Sequence, residues 1–146
     1  MIDRRTFIHQ SCMACIGTSL GITFSSCQSV HYASGSTEPK GISIAASEFI
    51  YQKKDKLVTR EYIIVTNDKL EFPIYLYRVS ETQYNALWMK CSHQGSELQA
   101  SGDHLYCTSH GSEFDKRGKV TQGPAEKDLR TFSVTVVADK IMIDLS

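Results

Sequence analysis

Alternating apolar and polar residues predict short β-strands along most of the chain after residue 40. Residues from Leu57 to Thr66 are mostly β-branched or aromatic and end in the turn sequence Asn67-Asp68, a combination typical of a strand. Phe72 to Val79 alternates between two faces, and Tyr84 to Met89 forms a further strand-like segment. No stretch has the apolar spacing of a long amphipathic helix, so the pattern predicts an all-β fold.

Turn-forming residues divide the second half of the chain into hairpins. Ser101-Gly102-Asp103 and the segment from Asp115 to Gly118 are rich in residues that favour turns. Leu129 to Ala138 and Lys140 to Leu145 form a last pair of alternating segments. The sequence therefore predicts one β-domain that begins at Gly41 and continues to the last residue.

Residues 1–27 have a different character. Arg4-Arg5-Thr6-Phe7-Ile8 resembles a twin-arginine export signal, and a weakly apolar run follows from about Met13 to Phe24. This run is shorter and less apolar than a transmembrane helix of about 20 residues. Phe24-Ser25-Ser26-Cys27 resembles a lipobox, in which Cys27 would become the lipidated amino terminus. Simple cleavage nearby and an uncleaved anchor are the alternatives.

Residues 28–40 are small and polar and include a proline, which predicts a flexible tether. The expected organisation is therefore a signal over residues 1–27, a tether over 28–40 and a domain over 41–146. We expect a protein exported by the twin-arginine route and tethered to a membrane, facing the periplasm or the cell exterior.

Composition adds few constraints. A chain of 146 residues with 41% apolar content suffices for one domain with a modest core. The formal net charge is zero, so neither nucleic acid nor an anionic surface is implied as a partner. Five cysteines are an odd number, and Cys12 and Cys15 lie in the signal region, which argues against a simple disulfide framework.

Two short loops hold the residues best suited to bind a metal. Cys91-Ser92-His93 and Cys107-Thr108-Ser109-His110 each offer one thiolate and one imidazole, and residues 94–106 between them are predicted to form a hairpin. A structural zinc site usually takes a cysteine pair and then a histidine pair. Here each loop has one cysteine and one histidine. A [2Fe–2S] cluster with two unequal irons needs such a mixture, so a cluster and a zinc ion are both candidates.

The two loops resemble the cluster-binding boxes of the Rieske family, and the resemblance covers most of the predicted domain. The matching residues are Cys91-x-His93-x-Gly95 and Cys107-x-x-His110-Gly111-Ser112-x-Phe114-Asp115. Gly118 and Gly123-Pro124-Ala125 match a glycine and a proline loop of the cytochrome bc-type branch. The implied fold is an antiparallel β-sandwich base with a small cluster-binding subdomain at about residues 88–125.

The resemblance also implies a Rieske-type [2Fe–2S] cofactor and a role for each matching residue. Cys91 and Cys107 would bind the buried iron, and His93 and His110 would bind the outer iron near solvent. Four further residues would tune the cluster. Ser112 would donate a hydrogen bond to a bridging sulfide, a loop at Pro124 would cover the cluster, and the remaining two, Gly95 and Gly111, would allow close approach of backbone N–H groups.

Departures from the bc-type pattern lower the expected reduction potential. The two cysteines that form a disulfide between the boxes in that branch are Ser96 and Ser109 here, and a tyrosine donor is Phe114. Gln94 and Thr108 replace the usual leucine and proline. Fewer donors to sulfur stabilise the reduced cluster less, so we expect a potential below the top of the Rieske range of about −150 to +300 mV.

No nucleophile with a base at motif spacing is present, and no mononuclear iron motif, so no catalytic residue is assigned. We expect a one-electron carrier that is a component of an oxidoreductase complex rather than a stand-alone enzyme. One hypothesis is a membrane-associated Rieske subunit that takes electrons from quinol and passes them to a cytochrome. A second is the small subunit of an arsenite-oxidase-like molybdenum enzyme. A third, from another class, is a zinc-stabilised binding module.

Overall fold

The computed structural model describes residues 30–146, and these contain fourteen β-strands and one short 3-10 helix, Ala46–Phe49. The strands are β1 (Tyr32–Ser34), β2 (Ser36–Glu38), β3 (Gly41–Ala45), β4 (Ile50–Lys53), β5 (Lys56–Thr59), β6 (Tyr62–Thr66), β7 (Ile74–Arg78), β8 (Tyr84–Trp88), β9 (Gln99–Ser101), β10 (His104–Tyr106), β11 (Glu113–Asp115), β12 (Val120–Gln122), β13 (Thr131–Val137) and β14 (Lys140–Asp144). None of the helices in this range is long and apolar enough to cross a membrane. The predicted signal and Cys27 lie outside the described residues.

Eight strands form the base, in the order β1-β6-β7-β8-β13-β14-β3-β2. Neighbouring strands are antiparallel except β1 and β6, which are parallel. Only Thr131 and Phe132 of β13 pair with β8. Residues from both sides of this short junction share one core, as in a β-sandwich. They are Ala33, Ile42, Ile44, Phe49, Ile63, Val65, Ile74, Leu76, Ala86, Ile141 and Ile143. The predicted all-β sandwich is confirmed, with one parallel pair at its edge.

A second sheet, in the order β12-β11-β10-β9, lies within the predicted cluster-binding subdomain. It packs on the face of β6, β7 and β8 that points away from the first core. Alternation along these three strands divides their side chains between the two cores. The second core contains Ile64, Tyr75, Leu87 and Met89 from the base and Leu98, Leu105, Phe114, Ala125 and Leu129 from the subdomain side. Both faces of the three strands are therefore buried.

The segment predicted as one strand from Leu57 to Thr66 is divided into two. β5 pairs only with β4, as a separate hairpin, whereas β6 pairs with β7 in the base. The chain changes direction at Arg60, whose backbone N–H donates a hydrogen bond to the carbonyl of Phe49.

The prediction of a flexible tether is wrong for residues 32–38, because β1 and β2 lie there. Ala33 is only 2% exposed and belongs to the first core. The N–H of Gly35 donates to the carbonyl of Thr66, which extends the pairing of β1 with β6. The side chain of His31 contacts the carboxylate of Glu48 at 2.6 Å. The polar composition hid these contacts, since the only core residue here is an alanine.

We expect Ala33→Asp to lower the free energy of unfolding by about 3–5 kcal/mol, because it buries a charge without a partner. Ser34→Asp is the matched control, since Ser34 is the exposed neighbour on the same strand. Urea denaturation followed by circular dichroism measures both variants. Equal, small effects at the two positions would mean that this segment does not pack on the base.

Candidate metal centre

The predicted ligands lie in two loops, residues 91–96 and 107–112, which we call the ligand loops. Their backbones have the same hydrogen bonds, although the histidine stands at a different position in each. In the first loop the N–H of Gly95 donates to the carbonyl of Cys91, and the N–H of Cys91 donates to the carbonyl of Ser96. The second loop repeats both bonds between residues 107, 111 and 112. Gly95 and Gly111 both have φ of +76°, a conformation that side chains other than glycine's rarely adopt. The two glycines thus have a conformational role as well as the predicted close approach.

The loops are positioned by the strands that lead into them. Two residues lie between the end of β8 at Trp88 and Cys91, and the bridge between Lys90 and Glu97 closes the first loop. Cys107 follows directly after β10. The β9–β10 turn is anchored to the base, because the buried Tyr75 donates its hydroxyl hydrogen to the carbonyl of Gly102 at 2.8 Å. Burial raises the pKa of Tyr75, which keeps this donor protonated.

The two thiols are buried and adjacent. Cys91 is 3% and Cys107 2% exposed, and both belong to the second core. Burial raises the pKa of the Cys107 thiol, but hydrogen bonds from the N–H groups of Ser109 and His110 and from the Cys91 thiol outweigh burial and lower it. A lowered pKa favours the thiolate, which is the form that binds metal.

The two imidazoles lie side by side and nearer to solvent. The ring centroids of His93 and His110 are 5.0 Å apart, with the ring planes at 88°. His110 is exposed and His93 half-buried. The Nδ1 atom of His93 is buried and has no hydrogen-bond partner among the described residues. A buried imidazole nitrogen without a partner is costly unless it is coordinated.

These four side chains therefore fit a two-iron cluster. The structure brings together a buried thiol pair and a more accessible imidazole pair, as two unequal irons require. Among residues 30–146, no three His, Cys, Asp or Glu side chains converge on a point that could hold a single metal ion.

The segment around Pro124 is bonded to both ligand loops. The N–H of Ala125 donates to the hydroxyl oxygen of Ser112 at 3.1 Å, and the side-chain amide of Gln122 donates to the carbonyl of Gly111 at 3.3 Å. The contact with the first loop is made at Ser92, whose hydroxyl donates to the carbonyl of Lys127. Ser112 is fully buried, and because its oxygen accepts the bond from Ala125, its own hydrogen is free to donate.

The serines at the two disulfide positions of the bc-type pattern are in contact. The Ser109 hydroxyl lies 3.0 Å from that of Ser96, which links the two loops by a hydrogen bond. Ser109 also contacts the Cys107 thiol through its side chain and its backbone N–H. The sequence identified Ser109 only as a missing cysteine. Its position two residues after a ligand cysteine was the available signal for its role as a donor.

Other predicted positions have simple outcomes. Phe114 is fully buried in the second core, so it contributes packing where the bc-type tyrosine would add a donor. Gln94 and Thr108 are exposed on the two loops. His104 lies beside the β9–β10 turn, near Asp103, with 46% of its side chain exposed, and it is not part of the imidazole pair.

Comparison with known proteins agrees with this geometry. A family model of the Rieske [2Fe-2S] domain matches residues 48–133, more than half of the chain. The chain belongs to the Rieske family. Rieske domains carry a [2Fe–2S] cluster, and this cofactor agrees with the Cys and His pairs described above.

Two curated relatives and one solved structure illustrate the similarity of this Rieske domain. The cytochrome b6-f complex iron-sulfur subunit of Synechococcus elongatus is 31% identical over 84 residues, 56% of this chain and 41% of that protein. The mitochondrial Rieske subunit of the Bos taurus cytochrome b-c1 complex is 26% identical over 98 residues, 65% of this chain and 36% of that protein. The chain thus spans well under two thirds of these relatives. The plasma membrane Rieske protein PetC3 of Synechocystis PCC 6803 aligns with a TM-score of 0.50 and 26% identity, over 57% of this chain and 86% of that chain.

We expect His93→Asn and His110→Asn each to lose most of the bound iron and the spectrum of mixed Cys and His ligation. His104→Asn is the matched control, since it removes an exposed imidazole outside the pair. Iron and acid-labile sulfide analysis with visible absorption of each purified variant measures the effect. An unchanged spectrum for either of the first two would remove that histidine from the predicted ligands.

We expect Ser112→Ala to lower the reduction potential by roughly 60 mV, because a hydrogen bond to a charged group contributes about 1.5 kcal/mol. Ser101→Ala, at the exposed serine that ends β9, is the control. A spectroscopic redox titration of both variants measures the change. An equal potential in wild type and Ser112→Ala would show that this hydroxyl does not act on the cluster.

Proposed function

We propose that the chain is a one-electron carrier whose [2Fe–2S] cluster is held by Cys91, Cys107, His93 and His110. The observation that carries the proposal is the unequal burial of the two pairs: the thiols lie in a closed core, and the imidazoles lie towards solvent. A bound Rieske-type cluster supplies a one-electron redox couple at a higher potential than a four-cysteine cluster.

The surrounding residues bind and shield this cofactor. Cys91 and Cys107 hold it from the side of the second core, where water is excluded. The exposed edge of His110 leaves a short route for an electron to a partner protein that docks on the loop tips. The segment from Gln122 to Lys127 holds the two loops in one arrangement through its hydrogen bonds to each. Little rearrangement is then needed when charge changes, which suits a carrier.

The attachment of the carrier follows from its amino-terminal sequence. We propose that residues 1–27 are a twin-arginine signal, that Cys27 is lipidated, and that the domain faces the periplasm or cell exterior. Few residues lie between Cys27 and the start of β1 at Tyr32, so little tether would separate the lipid from the domain. An uncleaved amino-terminal anchor would place the domain similarly.

For partners, we propose that the chain is the Rieske component of a membrane-associated quinol–cytochrome oxidoreductase. Two of its relatives are subunits of cytochrome b6-f and b-c1 complexes, and this supports the proposal.

A small electron-transfer subunit of an arsenite-oxidase-like molybdenum enzyme is the second candidate. The exposed Gln94 weighs against the first candidate and so leaves this one open, since a polar side chain stands beside the predicted ligand His93 where the bc-type loop has leucine.

We expect the full chain, produced with iron and sulfide and reduced by dithionite, to give a rhombic electron paramagnetic resonance signal. Its average g should have the low value typical of mixed Cys and His ligation, and the titration should take up one electron per chain. The double variant Cys91→Ser/Cys107→Ser, which lacks both thiolates, is the control. Stoichiometric zinc without a resonance signal would refute the electron-carrier proposal and favour a zinc-stabilised binding module.

A further inference from the structure

The β4–β5 hairpin stands apart from both sheets and is almost entirely exposed. Two large apolar side chains on it point into solvent: Leu57 is 77% exposed and Ile50 is 49% exposed. The ladder register puts both side chains on the same face of the hairpin, and a cluster of exposed apolar side chains is a feature of contact surfaces. Neither side chain belongs to either core.

The same hairpin concentrates positive charge in a chain whose net charge is zero. Residues 50–60 contain four cationic side chains against one carboxylate, Asp55. The cationic residues are Lys53, Lys54, Lys56 and Arg60. Lys53 and Lys56 face each other across the last pair of the ladder, at the tip. The chain has zero net charge, but the β4–β5 hairpin is locally basic and partly apolar.

This hairpin lies at the end of the base opposite the ligand loops, which we call the base end. The Phe49 ring, directly before β4, packs on Tyr84, the first residue of β8, with centroids 5.3 Å apart. The other end of β8, at Trp88, leads into Cys91. Five residues of strand, roughly 16 Å, therefore separate the hairpin's attachment from the start of the first ligand loop.

Most exposed apolar side chains of the described residues share the base end. Strand direction and register place them just before β1, on the β4–β5 hairpin, and at the β7–β8 and β13–β14 turns. They are Val30, Ile50, Leu57, Val79 and Val137. The exceptions are Tyr106, next to the second ligand loop, and Tyr32, which is level with Leu87 near the other end of β8. Arg78 and Lys140 also lie at this end, but Glu61, Glu81 and Asp139 outnumber them there, so the net positive charge of this end comes from the hairpin.

The chain reaches the base end from its amino terminus. His31 contacts Glu48 of the 3-10 helix that leads into β4. The carbonyl of His31 accepts a hydrogen bond from Ile64, which fixes the start of β1 beside β6. Cys27 is only three residues before Val30 in the sequence. A lipid on Cys27 would therefore bring the bilayer close to the hairpin.

We propose that the β4–β5 hairpin is a second membrane contact, at which its lysines meet anionic lipid headgroups and Leu57 enters the interface. This inference rests on the proposed amino-terminal membrane attachment. A basic patch is a common second membrane signal beside a lipid anchor. The cluster-binding loops then point away from the bilayer, towards a partner protein.

A bilayer suits the hairpin better than the acidic face of a redox partner. An electron-transfer partner must approach His93 and His110, and these lie beyond the far end of β8. A protein bound at the hairpin would be separated from them by the length of the base. The surface chemistry, aliphatic side chains flanked by lysines, matches an interface where headgroups and acyl chains meet.

The test is co-sedimentation of the cluster-loaded full chain with vesicles of phosphatidylcholine alone or mixed with phosphatidylglycerol. We expect Lys53→Gln/Lys56→Gln to weaken partitioning into mixed vesicles about 30-fold at low salt, since each lysine near an anionic surface contributes roughly fivefold. High salt should remove this difference. Leu57→Ser should weaken binding to both kinds of vesicle by about tenfold.

The matched control is Lys40→Gln/Lys69→Gln, which removes the same charge from exposed positions outside the hairpin and the ligand loops. Comparison of variants within the full chain cancels any binding by residues 1–29. The proposal would be overturned if the two double variants partitioned equally onto the mixed vesicles. It would also be overturned if a hairpin variant bound vesicles normally but no longer bound an acidic redox protein. The electron paramagnetic resonance signal of the same samples reports separately on the electron-carrier function.

Discussion

Strands β6, β7 and β8 are buried on both faces, and this double burial connects the sandwich base to the ligand loops. Ile63, Val65, Ile74 and Leu76 face the first core, whereas Ile64 and Tyr75 face the second. Each fully buried aliphatic side chain contributes about 1.5–3 kcal/mol relative to exposure. Because one layer serves both cores, the position of the loops is fixed by the same packing that holds the base together. The geometry of the site is in this sense a property of the whole domain.

That arrangement explains how two mixed loops become one site with two unequal sides. The thiols of Cys91 and Cys107 extend the second core, so apolar packing keeps them together and away from water. The histidines stand further out because each lies later in its turn, at the second position after Cys91 and the third after Cys107. The hydrogen bonds around both turns are the same, and this common frame tolerates the difference in spacing.

The sequence predicted which side chains lie together better than it predicted the connections around them. The ligand pattern was readable because few side chains bind iron, and their spacing is short and local. Alternation predicted β7, since each of its residues faces one core or the other. The burial of Ala33 could not be predicted, because it depends on parallel pairing with β6, about thirty residues later. The break between β5 and β6 at Arg60 could not be predicted either. The local pattern indicates that β5 is a strand, but it does not indicate that its partner is β4. Net charge, a sum over the chain, could not reveal the basic hairpin.

The hydroxyl pair of Ser96 and Ser109 gives the two loops a link that is indifferent to its redox surroundings. Small thiols exchange with disulfides, and reducing compartments keep such bonds open. The hydroxyl groups of the two serines do not take part in this exchange. The loops can therefore take up this arrangement in a reducing compartment as well as in an oxidising one, and no oxidant or isomerase is needed to link them.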